Sequence, residues 1–295
     1  MINNKIVITG ATGFVGSNLT TFFLNKSYEV YLIVRPNTDL SNLDIKNIKL
    51  NIFTYDNNLN NLISFFKEVN PLCTFHLASQ FIAEHQPSEI DSLVASNISF
   101  GLHLLEAMKE AKVKTLINTG TSWQHYNNED YNPVCLYAAT KQAFESLIDY
   151  YVKAEDFKVI TLKLYDTYGE TDTRPKLINL LNKFAQNNTE LKLSPGEQMI
   201  NLVHINDVCS AFEISLSLTQ TIKNGTHNKY VVKHQNSYTL KQIINLFEET
   251  VKRKINIKWG GKPYRKREVM RLWDKGEILP NWVARISLKE GFGKF

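Results

Sequence analysis

The fold of this chain is decided near its start, by Lys5-Ile6-Val7-Ile8-Thr9-Gly10-Ala11-Thr12-Gly13-Phe14-Val15-Gly16. Residues 5–9 are apolar and β-branched, which is typical of a fully buried parallel strand. Glycines follow, and apolar residues then recur at helical spacing. Glycine lets backbone N–H groups approach a pyrophosphate, and a helix N-terminus favours an anion. This order predicts a dinucleotide-binding unit, with contacts from Gly10, Thr12, Gly13, Phe14, Val15 and Gly16.

The alternation of strands and helices continues along the chain. Strand patterns lie at residues 28–34, 49–53, 74–78, 116–118 and 159–164, and helical patterns at 59–69, 94–110 and 137–153. This predicts an α/β fold, a doubly wound parallel (Rossmann) sheet with a smaller α/β C-terminal substrate-binding lobe. We expect residues 1–165 to form the NADP-binding domain, with 200–220 returning to it. Residues 166–199 and 221–295 would form the lobe.

Composition excludes several classes of protein. The 295 residues are 43% hydrophobic and 21% charged with a net charge of +5, which is typical of a globular chain. No apolar run reaches the roughly 20 residues of a membrane helix, and the start lacks a signal-peptide pattern, so a cytoplasmic protein without a membrane partner is expected. The cysteines are scattered, which predicts no metal site. Few aromatic residues accompany the basic C-terminal stretch, so no nucleic-acid partner is expected.

The end of the second predicted strand indicates the cofactor. It reads Ile33-Val34-Arg35-Pro36, without the carboxylate that would bind the ribose 2′-hydroxyl of NAD. Arg35 can instead pair with a 2′-phosphate. The sequence therefore predicts NADP(H) as the preferred cofactor, with NAD(H) as the second candidate.

Tyr137 and Lys141 form the predicted acid–base pair. Four residues apart on a predicted helix, they share one face and can point into one cleft. The reference pKa of a tyrosine is near 10, and a neighbouring cation lowers it. The pair is therefore predicted to exchange a proton with a substrate, which makes the protein an enzyme.

In these motifs, the chain resembles the extended short-chain dehydrogenase/reductase family of nucleotide-sugar epimerases, dehydratases and reductases. The resemblance also rests on residues 75–78, Phe-His-Leu-Ala, on Asn97, on Tyr168-Gly169 and on residues 203–208. It implies that Thr121 completes a triad with Tyr137 and Lys141, with Thr119 as the alternative. It further implies a homodimer through the helices 94–110 and 137–153. Further cofactor contacts would come from Asp56, Leu77, Ala78, Ser79, Asn97, Thr119, Tyr137 and Lys141.

Departures from the family patterns narrow the reaction. Ser122-Trp123 stands where the dehydratases have an Asp-Glu pair. Trp123 also stands where the epimerase-reductases have a catalytic cysteine, and only His125 or Cys135 could replace that cysteine here. Direct hydride transfer at one carbon remains. Residues 162–169, 174–178 and 196–198 most resemble 4-ketoreductases of the CDP-paratose and CDP-abequose synthase type.

The resemblance implies NADPH-dependent reduction, at C4, of a nucleotide-linked 4-keto-6-deoxy or 3,6-dideoxy sugar for bacterial surface polysaccharide. Residues 200–202 lack the arginine that the family places near the sugar nucleotide. We therefore expect Arg174, Lys176 and Arg267 to bind the diphosphate, and Trp123, Gln124 and Asp166 to contact the remaining substrate. The alternatives are an NAD-dependent nucleotide-sugar 4-epimerase and a non-catalytic NADP-binding sensor.

Overall fold

The computed structural model describes residues 3–43, 46–187 and 189–295. Its main sheet contains seven strands: β1 (Lys5–Thr9), β2 (Glu29–Val34), β3 (Leu50–Thr54), β4 (Cys73–His76), β5 (Thr115–Thr121), β6 (Lys158–Leu164) and, later in the chain, β11 (Thr226–Val232). Their order across the sheet is β11-β6-β5-β4-β1-β2-β3, and every pairing is parallel. The predicted Rossmann-like architecture is confirmed.

Helices cover both faces of this sheet. The described helices are α1 (Phe14–Asn25), α2 (Leu59–Val69), α3 (Ile90–Val94), α4 (Phe100–Glu110), α5 (Leu136–Glu155), α6 (Leu177–Asn187), α7 (Ile205–Leu218), α8 (Leu240–Val251) and α9 (Leu288–Phe292). Ile6 and Ile8 of β1 pack with α1 and α7, whereas Val7 between them packs with α2, α4 and α5. This alternation is the period of a strand that is buried on both faces.

A second, smaller core lies among α6, α8 and α9. Short two-stranded sheets accompany it: β7 (Asp166–Tyr168) with β10 (Leu202–His204), β9 (Met199–Ile200) with β12 (Tyr238–Thr239), and β8 (Leu191–Lys192) with β13 (Ile257–Lys258). The sequence places all of 221–295 in this lobe, but β11 is the edge strand of the main sheet and pairs with β6 over its full length. Its buried end, Tyr230, Val231 and Val232, explains that position.

Among the described residues, no helix is long and apolar enough to cross a membrane. Within the same ranges, no group of three or more His, Cys, Asp and Glu side chains is arranged to hold a metal ion.

Candidate active site

The glycine loop lets α1 sit directly on the end of β1. Gly10 has a φ of +69°, and a Cβ there would lie 2.6 Å from the backbone nitrogen of Ala78. A Cβ at Gly16 would lie 2.1 Å from the Gly10 carbonyl oxygen, so neither position accepts a side chain. Helix α1 begins at Phe14, with its first amides facing the loop. The loop therefore has the close packing and free N–H groups that a pyrophosphate requires.

The segment that follows β4 is held next to this loop. The Thr9 hydroxyl lies 2.9 Å from His76 Nδ1 and accepts from the Ala78 N–H at 3.1 Å. Burial, aided by the charge of Lys141, lowers the pKa of His76 to about 3, so His76 is neutral. These contacts fix residues 77–79, including Ser79, beside the glycine loop.

Asn97 anchors the same segment from the helix side. It lies in a π turn (Ala95–Ser99) between α3 and α4, and its side chain is buried. Its Oδ1 accepts from the Gln80 N–H at 2.7 Å, and its Nδ2 donates to the Gln80 carbonyl at 3.1 Å and to Thr140 Oγ1 at 3.0 Å. Thr140 in turn donates to the Tyr137 carbonyl at 2.7 Å. Asn97 thus joins the loop after β4 to the helix of the predicted triad and acts by positioning.

Tyr137 and Lys141 lie in the first two turns of α5, and Thr121 is the last residue of β5. Burial raises the pKa of Tyr137 to about 12, with the Ser79 hydroxyl acting in the opposite direction. Burial lowers the pKa of Lys141 to about 8, and the carboxylate of Glu145 opposes this shift. The sequence predicts that Lys141 lowers the pKa of this tyrosine, but burial raises it instead. Tyr137 is consequently a protonated phenol, suited to donate a proton.

Thr121 and Thr119 lie on the same side of β5, two residues apart. Thr121 is the last residue of this strand, and its Oγ1 accepts from the Trp123 N–H at 3.3 Å. Thr119 Oγ1 is buried and has no hydrogen-bond partner in the described part of the chain. Because a buried hydroxyl without a partner is costly, Thr119 fits a site in which a bound dinucleotide supplies the missing contact.

The predicted adenosine contacts lie at the ends of β2 and β3. Arg35 is exposed directly after β2, and the nearby Asn42 donates to the Thr12 carbonyl at 2.8 Å. Asp56 follows β3, where its carboxylate accepts from the Asn58 N–H at 3.0 Å and from Asn61 Nδ2 at 2.9 Å. Arg35 is thus placed as an exposed cation at this edge, while Asp56 fixes the start of α2.

Phe81 and Trp123 form an aromatic wall beside the triad. The Phe81 ring lies 5.0 Å from the Tyr137 ring and 5.5 Å from the Trp123 ring, measured between centroids. Lys176 Nζ lies 3.8 Å from the Phe81 ring centre, and the Arg265 guanidinium lies 5.0 Å from that of Trp123. Neither Phe81, three positions after the family-like residues 75–78, nor Arg265 is among the residues predicted from the sequence.

Charged groups line the same cleft. Burial raises the pKa of Asp166, and the charges of Lys176, Arg265 and Arg174 act against this shift. Arg265 is bound to Glu268, with Nη2 2.7 Å from its Oε1. Lys176 and Arg265 therefore provide positive charge close to Tyr137, in a place where an anionic substrate group could bind.

Three predicted substrate contacts lie elsewhere. Gln124 is fully buried, and its Nε2 donates to Gln142 and Glu145 at 2.7 and 2.8 Å, so it faces away from the cleft. Arg267 donates to Asn132 and lies over the Tyr126 ring. Arg265, and not Arg267, therefore lies where the diphosphate-binding arginine was expected. Arg174 binds both carboxylate oxygens of Asp172 at 2.8 Å and lies over the Phe14 ring.

Arg174 therefore borders the glycine loop. It lines a cavity of about 470 Å³ together with Thr12, Gly13 and Phe14.

His125, which could have substituted for a catalytic acid or base, is stacked 3.5 Å from Trp273 and accepts from Lys163 Nζ at 2.8 Å. Burial, aided by Lys163, lowers the pKa of His125 to about 4. It is therefore neutral and engaged in the interior.

Known proteins resemble this chain over most of its length. Residues 6–232 match the family described as "NAD dependent epimerase/dehydratase family". A CDP-abequose synthase from Yersinia pseudotuberculosis is 30% identical over 272 residues, which cover 90% of each chain. A CDP-abequose synthase from Salmonella muenchen is 26% identical and covers 99% of this chain and 97% of the relative.

Solved structures share the fold over almost the whole chain. A UDP-N-acetylglucosamine 4-epimerase from Methanobrevibacter ruminantium superimposes with a TM-score of 0.84 at 19% identity, covering 100% of this chain and 97% of the other. A UDP-glucose 4-epimerase from Thermotoga maritima, solved with UDP-glucose, gives a TM-score of 0.83 at 21% identity and covers 98% and 96%.

Proposed function

The chain belongs to the NAD dependent epimerase/dehydratase family and is an NAD(P)-dependent oxidoreductase-type enzyme, and we propose that it reduces the C4 ketone of a nucleotide-linked 4-keto-6-deoxy or 3,6-dideoxy sugar with NADPH. The product would enter bacterial surface polysaccharide. The observation that carries this proposal is the position of Tyr137, a protonated phenol on the same face of α5 as Lys141, with its ring 5.0 Å from that of Phe81, which in turn packs against Trp123.

The residues that would hold the dinucleotide fit such a group. The glycine loop and the start of α1 suit its pyrophosphate, Lys141 and the unpartnered Thr119 hydroxyl suit the nicotinamide ribose, and exposed Arg35 suits a 2′-phosphate. When bound, this cofactor supplies the hydride, which no amino-acid side chain can provide.

Tyr137, Thr121 and Lys141 would perform the proton chemistry. The protonated phenol of Tyr137 gives its proton to the alkoxide oxygen that develops at C4. Thr121 donates a hydrogen bond to the same oxygen and orients the carbonyl. Protonated Lys141, one helical turn from Tyr137, stabilises the resulting phenolate and holds the ribose.

The walls of the cleft support a deoxygenated sugar as substrate. Phe81 and Trp123 present apolar ring surface next to Tyr137, where a methyl group or a methylene would be favoured over a hydroxyl that must lose its water. Lys176 and Arg265 supply cations for a diphosphate, and the nearby Asp166, on which both charges act, suits a sugar hydroxyl. Two relatives named CDP-abequose synthase agree with this class of substrate.

An NAD-dependent nucleotide-sugar 4-epimerase is the second candidate, because 4-epimerases share the fold over nearly the whole chain. Such an enzyme would use the same triad and would show no net oxidation of its cofactor. A non-catalytic NADP-binding sensor is less favoured, since it has no use for Tyr137 and buried Lys141 as a pair.

The deciding experiment follows NADPH absorbance while purified protein meets CDP-, GDP-, dTDP- and UDP-linked 4-keto-6-deoxy sugars, including 3-deoxy forms, with NADH in parallel. We expect stoichiometric oxidation of NADPH with one nucleotide series. No oxidation with any substrate, together with NAD released from the denatured protein, would replace the reductase with the epimerase.

We also propose a homodimer through α4 and α5. Leu102 on α4 and Tyr150 on α5 are exposed, with 37% and 62% of their surface accessible. Sedimentation of the wild type at micromolar concentration should give twice the chain mass, and Leu102→Glu with Tyr150→Glu should give the monomer. A wild-type monomer at that concentration would contradict the proposal.

A further inference from the structure

Glu145 is a buried carboxylate that the proposed chemistry does not use. It is fully inaccessible and lies on α5 one turn beyond Lys141, on the face that carries Tyr137 and Lys141. Its Oε1 accepts from Gln124 Nε2 at 2.8 Å, and its Oε2 lies 3.5 Å from Lys163 Nζ and 3.5 Å from Lys229 Nζ. A buried charge of this kind is costly unless its surroundings require it.

One line of contacts leads from Glu145 to Thr121. Gln124 bridges the two, because its Oε1 accepts from the Thr121 N–H at 3.0 Å while its Nε2 donates to Glu145. The space around this bridge is full, since a Cβ on Gly120 would lie 3.0 Å from Gln124 Oε1 and 3.1 Å from Glu145 Oε1. The backbone of the triad threonine is thereby fixed to the carboxylate through one amide side chain.

A second link leads from Glu145 to Lys141. Lys163 and Lys229 each lie 3.5 Å from one Glu145 oxygen, and the buried Lys141 lies one helical turn before Glu145 on the same face of α5. Glu145 is therefore placed as a carboxylate whose charge acts on Lys141. Its effect opposes the burial that lowers the pKa of Lys141 to about 8. The other ionisable groups that face Lys141 or Glu145 are Tyr137 and Asp149 on α5, neutral His76 on β4, neutral His125, and His227 on β11.

We propose that Glu145 is a positioning residue of the active site, which fixes Thr121 through Gln124 and supplies the buried counter-charge of Lys141. It touches neither substrate nor cofactor. The kinetic consequences rest on the proposed function, whereas the charge state of Lys141 can be measured without any substrate.

The first test is a ¹³C NMR titration of lysine Cε signals from pH 6 to 10, with the Lys141 signal assigned through Lys141→Arg. Glu145→Gln keeps an acceptor for Gln124 but removes the charge, so we expect the Lys141 midpoint to fall by about one pH unit. Asp149→Asn is the matched control, since Asp149 lies one turn further along α5 and contacts Lys229 at 3.6 Å. An unchanged midpoint in Glu145→Gln, or an equal fall in Asp149→Asn, would overturn the proposal.

Lys163 loses its carboxylate in Glu145→Gln, and that variant could fail to fold. In that case Glu145→Gln/Lys163→Met is compared with Lys163→Met, so that the pair differs only at residue 145. The double variant should titrate Lys141 at the lower pH, and equal midpoints would overturn the proposal.

The link to Thr121 is tested with the substrate that the NADPH assay identifies. Gln124→Leu should lower kcat about tenfold with little change in NADPH affinity, because Thr121 no longer orients the substrate carbonyl well. Gln142→Leu removes the other amide partner of Gln124 and should retain kcat. Equal losses in both variants would reduce Gln124 to a packing role. Failure of every substrate would count against the proposed function alone, since the NMR result stands without it.

Discussion

At the scale of single residues, our proposal assigns proton donation to Tyr137. Its phenol is held protonated by burial, its ring lies against Phe81, and Thr140 and Asn97 hold its backbone. Removing the Tyr137 hydroxyl leaves the packing of its ring intact. Proton donation and binding can therefore be separated by one substitution.

We predict that Tyr137→Phe lowers turnover about 10²- to 10⁴-fold, because a positioned proton donor contributes that much to a rate. NADPH affinity, measured by fluorescence titration, should stay within about twofold of the wild type. Tyr28→Phe, which removes the hydroxyl of a tyrosine that packs against Phe23 outside the cleft, serves as the control and should retain turnover. Wild-type turnover in Tyr137→Phe would remove this residue from the mechanism.

Arg35 determines the choice of cofactor in our proposal. We predict that Arg35→Ala weakens NADPH binding about 10- to 100-fold and leaves NADH binding nearly unchanged, since a charge-assisted hydrogen bond contributes about 1.5–3 kcal/mol. Isothermal titration with both cofactors measures the difference. Lys49→Ala, which removes an exposed lysine just before β3, is the control. Equal affinities of the wild type for both cofactors would contradict the preference.

At the scale of elements, the π turn at Ala95–Ser99 joins the sheet to α5. Asn97 is the residue through which it acts, because its side chain satisfies both backbone groups of Gln80. π turns inside helices often occur at functional sites. Here the turn holds the loop after β4 opposite the triad.

We predict that Asn97→Ala lowers the free energy of unfolding by about 2 kcal/mol, because buried polar groups lose their partners. Turnover should fall as well, since the loop that carries Ser79 is released. Urea unfolding monitored by circular dichroism gives the first value. Ser99→Ala changes an exposed residue of the same turn and should be neutral. A loss of stability that is as large in Ser99→Ala would show that the turn, and not the Asn97 amide, is responsible.

The strands and helices that bury apolar residues at regular spacing were predictable from the sequence, and β11 was not. The first half of β11 is polar, and its His227 and Lys229 are satisfied by Asp149 and Glu145 on α5. A polar edge strand of this kind has the composition of a loop, and its partners lie about 80 residues away in the chain. Local pattern cannot reveal such a strand.

The same limit applies to the candidate site. The glycine loop, Tyr137 and Lys141 could be predicted because each motif is local. Gln124 could not, since its partners on α5 are 18 and 21 residues away. Arg265 and Arg267 lie in a segment without regular structure, where no period indicates which arginine faces the cleft.

At the scale of the whole molecule, buried neutral histidines make stability depend on pH. Burial lowers the pKa of His76 to about 3 and that of His125 to about 4, against 6.5 for an exposed histidine. The folded state therefore binds fewer protons than the unfolded chain below pH 6.5. Stability is fully present above that pH and is lost as the pH falls toward 4, by up to about 1.4 kcal/mol per pH unit for each histidine.

We predict that the free energy of unfolding falls steeply between pH 6.5 and 4, and that His76→Asn makes this fall shallower by about half, because one of the two strongly shifted histidines is removed. Urea unfolding at half-unit steps of pH measures both slopes. His85→Asn is the control, because His85 is exposed in the loop after β4. An equal slope in His76→Asn and the wild type would mean that acid lability comes from the carboxylates instead. In that case the loss would be concentrated below pH 4, where groups such as Glu106 and Glu268, whose pKa values are lowered by their hydrogen bonds to Lys109 and Arg265, take up protons.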